Sequence, residues 1–231
     1  MKGWNWDNFF FYLPNRYLID GAWTTIWLTV VSVAIGLVLG LFAALMLLSK
    51  NKGLRSIGHF YTWAWRGTPL LVQMIILYTG LPQVGIRLSV IESAIAGLAI
   101  NEGAYLAEYI RGGFLSIGKG QFEAAKALAM PYSTMMRLII LPQAMRVIVP
   151  ALGNRINGML KFTSIASVIS MEELTRRAQL LIQERFAVLE IYIIITIYYL
   201  IMTTIWNQIQ NRIEAYYGRA YAEARGATEA R

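Results

Sequence analysis

The chain has 231 residues, of which 57% are hydrophobic and only 15% are charged. This composition is typical of one integral membrane domain, since a soluble domain is rarely so apolar. It has no cysteine and a single histidine, which excludes a disulfide framework and thiolate metal sites, so we expect no metal site. The net charge of +8 forms no basic stripe interleaved with aromatic residues, so we expect positive-inside topology and no nucleic-acid partner.

The N-terminal stretch, residues 1–20, is aromatic and mixed in charge. Tryptophan and tyrosine favour headgroup depth, so we expect a periplasmic or interfacial segment. Residues 22–48 follow without a single charge, and a stretch of this length can cross a bilayer. Within it, Gly36 and Gly40 form a G-x-x-x-G step, which is typical of closely packed helices but is also tolerated facing lipid.

Three basic residues and no acid follow this first span, at Lys50, Lys52 and Arg55. The positive-inside rule places this end in the cytoplasm and therefore the N-terminus outside. Successive spans place the connecting regions alternately outside and inside. The regions assigned to the cytoplasm in this way carry more lysine and arginine than the external ones. Residues 211–231 are accordingly predicted to be a cytoplasmic tail.

The second span, which ends near residue 81, is irregular. Gly67 and Pro69 weaken its helical ladder, and broken backbone at membrane depth is tolerated mainly where it is buried or lines a cavity. We therefore predict that Thr68 lines a cavity. A simple proline kink is the alternative interpretation.

The third span, residues 91–110, contains several polar side chains. Ionisable residues inside a membrane indicate function by default, because their desolvation must be compensated. Asn101, Tyr105 and Glu108 share one helix face, and Glu102 lies beside it. Glu108 is interpreted as a structural partner of Arg111, which leaves Asn101 and Glu102 as the better site candidates.

Charges at both ends keep the stretch from Glu123 to Pro142 away from the bilayer centre, so we place it in the cytoplasm. Its start reads as a short amphipathic helix that could dock into a partner's groove, with Phe122, Ala125, Leu128 and Ala129 on one side. An ordinary polar loop is the alternative.

The fourth span, residues 147–169, carries many polar groups at depth, which must find partners. Arg155, Lys161, Thr163 and Ser164 are therefore candidates for substrate contact. A purely structural alternative is that Lys161 or Arg155 neutralises Glu102 without any ligand. A charged external segment, residues 171–186, and a fifth span, residues 188–209, complete the chain.

The sequence from Glu123 to Pro142, EAAKALAMPYSTMMRLIILP, resembles the EAA loop of ATP-binding-cassette importer permeases. That loop reads Glu-Ala-Ala, three residues, Gly, nine residues, then Ile-x-Leu-Pro. Ala129 stands where the family has Gly, and only glycine takes positive φ freely. The runs RGTPLLVQ, GAYLAEYIRGG and KFTSIASVIS are similar to those of the polar amino acid branch. The matching loop positions are Glu123, Ala124, Ala125, Ile139, Leu141 and Pro142.

The resemblance implies an all-α integral membrane protein with about five transmembrane helices and a cytoplasmic EAA coupling helix. The permease domain would span residues 21–210, with the coupling loop at about 111–146. The implied partners are a dimer of cytoplasmic ATPase subunits, a second permease copy that is identical or homologous, an external substrate-binding protein and the lipid bilayer. The implied location is a bacterial inner membrane.

The resemblance also implies roles for individual residues. The coupling residues would be Glu123, Ala124, Ala125, Ala129, Leu141 and Pro142. The predicted substrate contacts are Thr68, Asn101, Glu102, Tyr105, Arg155, Lys161, Thr163 and Ser164.

The predicted function is that of the permease subunit of an ATP-driven amino acid importer working by alternating access. No Gly-x-x-x-x-Gly-Lys-Ser/Thr loop is present, so we expect neither enzyme activity nor a cofactor in this chain, with ATP and Mg in the partner ATPase. Arg155 and Lys161 favour an acidic or neutral polar amino acid, whereas Glu102 could hold an ammonium group. The alternatives are an ion-gradient-driven secondary amino acid transporter, whose sign would be inverted repeats, and a non-transporting scaffold.

Overall fold

The computed structural model describes the backbone of residues 4–229 and the side chains of residues 4–184 and 186–217. Parts of the predicted end segments 1–20 and 211–231 therefore lie outside the described residues. Within them the regular structure is entirely helical, which confirms the predicted fold class. The α-helices are α1 (Trp6–Tyr12), α2 (Arg16–Leu48), α3 (Lys52–Gly67), α4 (Leu70–Ile75), α5 (Val90–Leu115), α6 (Lys119–Ala127), α7 (Tyr132–Met135), α8 (Leu141–Phe162), α9 (Leu174–Arg185) and α10 (Val188–Glu229).

Among the described residues, 3 helical stretches are long and apolar enough to cross a membrane: Arg16–Leu48, Tyr132–Ile169 and Val188–Tyr217. They contain the predicted first, fourth and fifth spans, although the first begins before residue 22. The predicted second span is broken after α3, and the shorter apolar run Leu70–Val84 follows the break. The predicted third span is α5, whose glutamates make it less apolar. The count of about five crossings stays a prediction.

Two π-helical segments, Ile76–Gly80 and Met136–Ile140, accompany two prolines. Pro82 and Pro142 each lie two residues after one of these segments. In an α-helix the proline ring clashes with the carbonyl four residues earlier, which here belongs to the middle of each π segment. The wider π turn relieves this clash. After Pro142 the chain continues as α8, whereas around Pro82 it forms a 3₁₀ turn that ends at Val84.

Glycines bring α2 and α5 into close contact. A Cβ added at Gly40 would lie 2.8 Å from the Leu106 Cβ, and one added at Gly36 would lie 3.1 Å from the Glu102 Cβ. Both glycines are buried, so the G-x-x-x-G step serves helix packing rather than lipid exposure. This packing fixes the position of α5, the helix that carries Asn101, Glu102 and Tyr105 of the predicted polar site.

At the opposite end of α2, the segments α1 and α9 pack against α10, a helix of 42 residues. The Asn5 N–H donates to Glu190 Oε1 at 2.8 Å, and the Tyr198 hydroxyl donates to the Leu13 carbonyl at 2.8 Å. Glu173 caps the start of α9 and is completely buried. The aromatic N-terminal segment is thus attached to the last helix of the chain.

Candidate functional site

A cavity of about 420 Å³ lies where α3 gives way to α4, bordered by α5 and α8. Four of the eight predicted substrate contacts line it: Thr68, Asn101, Tyr105 and Arg155. The break that opens this cavity is therefore the one predicted from Gly67 and Pro69. The remaining lining residues are Arg66, Gly67, Pro69, Leu70, Phe162 and Ile165.

Side chains complete the hydrogen bonding of the broken backbone. Pro69 has no N–H, so the carbonyl of Trp65, four residues earlier, loses its helical partner. Gln73 Nε2 and Asn101 Nδ2 both donate to that carbonyl at 2.9 Å. Asn101 Nδ2 also donates to Gln73 Oε1 at 3.0 Å, and Gln73 Nε2 donates to Thr68 Oγ1 at 2.8 Å. The polar groups at the break are held by one another, which makes the cavity wall rigid.

A buried ion pair supports the cavity from behind. Glu102 is 0% exposed, and it accepts two hydrogen bonds from Arg155, from Nε at 3.1 Å and from Nη2. The Arg155 guanidinium carbon lies 4.2 Å from the centre of the Tyr105 ring. Arg155 is 14% exposed and lines the cavity, whereas Glu102 does not. The cavity therefore presents an arginine next to an aromatic ring, with the matching acid hidden behind them.

Three further predicted contacts, Lys161, Thr163 and Ser164, are not among the residues that line this cavity. Lys161 is exposed and is not part of the lining. The chain changes from α-helix to a 3₁₀ segment at Thr163, and the hydroxyls there bond back to carbonyls three residues earlier. Thr163 Oγ1 donates to Leu160 at 2.9 Å, and Ser164 Oγ donates to Lys161 at 2.6 Å. A substrate role for these three residues stays a prediction.

Glu108 forms the structural pair that its spacing predicts. Arg111 Nη2 lies 2.7 Å from Glu108 Oε2, as expected for partners three residues apart on a helix. Arg66 adds a longer contact of 3.6 Å to the other carboxylate oxygen. This cluster lies one to two turns along α5 from Glu102.

The predicted coupling loop begins with α6, an amphipathic helix of 9 residues. Ala125 is buried in a cluster with Met135 and Ile140, while Glu123 and Ala124 are exposed. The side predicted to dock into a partner is therefore divided, because Ala125 is buried within this chain whereas Leu128 is accessible. Leu128 is 74% exposed because the helix ends at Ala127 and the chain turns there.

The turn after α6 is a Schellman motif. The Met130 N–H donates to the Ala125 carbonyl at 3.0 Å, and the Ala129 N–H donates to the Lys126 carbonyl at 2.9 Å. This geometry requires a left-handed residue at position 129, and Ala129 has φ 50°. The family's glycine therefore has a physical reason, and alanine adopts the same conformation here with strain.

The end of the loop is joined to its beginning. Gln143 Nε2 donates to Gln121 Oε1 at 3.1 Å and to the Ile139 carbonyl at 2.9 Å. Leu141 and Pro142 lie just before Gln143, at the end of the π segment, and are exposed. The loop thus forms one packed unit with an exposed face.

Residues 36–217 match the family model described as binding-protein-dependent transport system inner membrane component. The chain belongs to this permease family. It is 41% identical over 177 residues to the putative glutamine transport system permease protein GlnP of Rickettsia typhi, which covers 76% of this chain and 81% of the relative. It is 37% identical to the arginine transport system permease protein ArtQ of Bacillus subtilis, over 86% and 91% of the two chains.

Solved structures agree with this assignment. A crystal structure of an amino acid ABC transporter with histidines superposes with a TM-score of 0.87 at 38% identity, over 93% of this permease and 100% of that chain. The inward-facing MetNI methionine ABC transporter superposes with a TM-score of 0.73 at 18% identity, over 88% and 97% of the chains, which shows the shared fold alone. The permease is therefore a transport component of the ABC class.

Sequence reasoning missed three contributors to the permease's cavity: Arg66, the Trp65 carbonyl and Gln73. The free Trp65 carbonyl could have been predicted, because Pro69 has no N–H to bond the carbonyl four residues before it. Gln73 lies one turn beyond that proline, at the right distance to reach back. Arg66 is the last charged residue before the break, and no feature of the sequence around it indicated that it lines the cavity.

Proposed function

We propose that this permease is the transmembrane subunit of an ATP-driven amino acid importer and that the cavity at the α3–α4 break holds the substrate in transit. The observation that carries the proposal is the Arg155 guanidinium, which faces the cavity while Glu102 holds it from behind. A guanidinium pairs closely with a carboxylate, the group that all amino acids share. The relatives named for glutamine and arginine transport support an amino acid as the substrate but do not support a preference for one side-chain charge.

The charges around the cavity favour an acidic or neutral polar amino acid. Its lining includes two arginines, Arg66 and Arg155, and no carboxylate among the described residues. The acids next to these arginines are already engaged, Glu102 by Arg155 and Glu108 by Arg111 and Arg66. A cationic side chain would therefore meet like charge at membrane depth, where the energetic penalty is large.

Coupling to ATP would occur through the exposed face of α6 that carries Glu123 and Ala124. In the proposed assembly a dimer of cytoplasmic ATPase subunits holds this helix on each of two permease copies, with ATP and Mg bound in the ATPase. Closing of the ATPase dimer pushes on the loop, and because Ala125 is packed onto the π segment, the push reaches α8. The cavity then faces outward and receives the amino acid from an external binding protein.

The proposed orientation is a bacterial inner membrane protein with the N-terminus outside and the C-terminus in the cytoplasm. The turn with Lys50, Lys52 and Arg55 and the EAA loop are then on the same side, as the positive-inside rule requires. An ion-gradient-driven transporter is disfavoured, because the chain belongs to a family of binding-protein-dependent systems.

Reconstituted uptake tests the substrate assignment. The permease, its ATPase and the external binding protein would be combined in liposomes, and ATP-driven uptake of labelled glutamine would be measured in competition with glutamate and arginine. Glutamine or glutamate should compete, and arginine should not. Strong competition by arginine would reverse the assignment to acidic or neutral substrates.

Charge reversal at Glu123 tests the coupling. Glu123→Lys should abolish ATP-driven uptake and weaken ATPase capture in native mass spectrometry, while the chain still inserts and folds, because the side chain is exposed. Asp7→Lys is the matched control, since Asp7 is also an exposed acid in a short helix. Normal ATP-driven uptake by Glu123→Lys would contradict the proposed coupling.

A further inference from the structure

A second cavity, of about 730 Å³ and largely open to the surface, lies along α3 and is bordered by Glu108 of α5. Its lining includes Ser56, His59, Trp63 and Glu108, and it shares Arg66 and Gly67 with the cavity described above. Arg66 is the only charged side chain common to the two linings among the described residues. It therefore stands at the boundary between the two cavities.

The second cavity lies toward the turn that precedes α3. That helix starts at Lys52, in the predicted cytoplasmic turn, and ends at Gly67 beside the break. From Arg66 back to Ser56 the helix rises about 15 Å. In the proposed orientation, a substrate that leaves the first cavity for the cytoplasm would pass Arg66 and then enter the second cavity.

Arg66 is held by weak contacts. Its Nη1 lies 3.6 Å from Glu108 Oε1, and its guanidinium carbon lies 5.3 Å from the centre of the Tyr105 ring. Its side chain is 40% exposed, compared with 14% for Arg155, whose guanidinium lies 4.2 Å from the same ring. An ion pair this long and this exposed contributes little stability, so Arg66 can move away easily.

Glu108 has a second cation that lets Arg66 leave. Arg111 binds the same carboxylate at 2.7 Å from the next turn of α5. When Arg66 departs, Glu108 keeps a partner and is not left as an unpaired charge, which would be strongly destabilising at depth. The backbone favours such movement as well, because Arg66 directly precedes Gly67 and the extended residue Thr68 at the end of α3.

We propose that Arg66 is the gate residue between the substrate cavity and the second, cytoplasmic cavity. Held by Glu108 and Tyr105 it separates the two cavities, and its movement away from Glu108 connects them. A positively charged gate attracts the substrate carboxylate and repels cationic substrates. This inference rests on the proposed importer function, so its test must distinguish the failure of one from the failure of the other.

The test measures leakage without ATP. The permease would be reconstituted in liposomes with its ATPase and the external binding protein, and the passive equilibration of labelled glutamine would be measured beside ATP-driven uptake. Arg66→Ala should raise the passive rate about tenfold, the effect of losing one cation–π or ion-pair contact, and should lower accumulation. Arg111→Ala is the matched control: it removes a cation from the same Glu108 but lines neither cavity, so it should not leak.

Restoring the positive charge at position 66 by chemical modification distinguishes loss of the gate from misfolding of the variant. The chain has no cysteine, so Arg66→Cys creates one thiol that a methanethiosulfonate reagent can modify. An aminoethyl reagent, which restores a positive charge, should close the leak, whereas a methyl reagent should leave it open.

Two results would overturn the gate. One is an Arg66→Ala permease that is as tight as wild type and accumulates substrate normally. The other is a leak of equal size in Arg111→Ala. If the wild-type permease fails to accumulate any amino acid with ATP, the importer function itself is wrong, which is a different outcome.

Discussion

The polar groups around the cavity are paired within the chain, whereas Glu123 of the coupling loop is exposed. In the cavity wall, Glu102 is paired with Arg155, and Asn101 is bonded to the Trp65 carbonyl. In the loop, Ala125 is buried while Glu123 is exposed on the other side of the same helix. A buried charge must find its partner within the chain, whereas an exposed charge is available to another molecule. The polar groups around the cavity are thus paired within the chain, whereas the loop leaves a charge exposed.

The largest expected effect comes from breaking the cavity's internal pairing. Arg155→Ala leaves the fully buried Glu102 without its cation and should destabilise the permease by about 3–5 kcal/mol. Thermal unfolding in mild detergent measures the change. The double variant Glu102→Gln/Arg155→Met removes both charges and should be much less destabilised. Equal stability of Arg155→Ala and wild type would show that Glu102 does not depend on its partner.

A smaller effect is expected in the loop, where a backbone conformation rather than a charge is under strain. Ala129→Gly removes the left-handed strain of about 1–2 kcal/mol, partly offset by the greater freedom of glycine in the unfolded chain, so a gain of roughly 0.5–1 kcal/mol should result. Thermal unfolding again measures it. Ala127→Gly, two residues earlier and helical, should instead destabilise by a similar amount. A loss of stability in Ala129→Gly would contradict the strain.

The smallest expected effect concerns Glu173, a buried acid outside the cavity. Glu173 accepts hydrogen bonds from the Thr175 and Arg176 N–H groups at 2.9 and 2.8 Å and from the Tyr199 hydroxyl at 3.1 Å, and no cation is paired with it among the described residues. Burial raises the pKa of Glu173 above its ordinary value of 4.5, although these hydrogen bonds oppose the shift.

This raised pKa has a definite sign for stability. The folded permease holds the Glu173 proton to higher pH than the unfolded chain, so stability from this group is present below pH 4.5 and is lost as pH rises through the folded pKa. The unfolding temperature of wild type should therefore fall relative to that of Glu173→Gln as the pH is raised from about 4.5. Parallel curves for the two proteins would contradict the shift.

The sequence predicted those features of the fold and the site that depend on neighbours along the chain. Glu108 and Arg111 are three residues apart on one helix, and Pro69 removes a hydrogen bond wherever it stands. The left-handed conformation of Ala129 was indicated only by the resemblance to the EAA loop, which has glycine at that position.

Features that depend on how helices rotate against each other could not be predicted. The sequence of the fourth span did not decide whether Lys161 or Arg155 is the partner of Glu102. The packing of α8 on α5 turns Arg155 toward Glu102, 53 residues earlier. Lys161 and Arg155 were both possible partners of Glu102, and choosing between these two residues required the angle between the helices.

The length of α10 has a mechanical consequence. Its 42 residues make a rod of about 63 Å, twice the hydrocarbon thickness of a bilayer of about 30 Å. A tilt of only about 10° about one end of such a rod would move the other end by about 11 Å. Near the start of α10, Glu190 accepts a hydrogen bond from the backbone of Asn5. A tilt about this attached end would therefore produce its largest displacement at the far end of the helix.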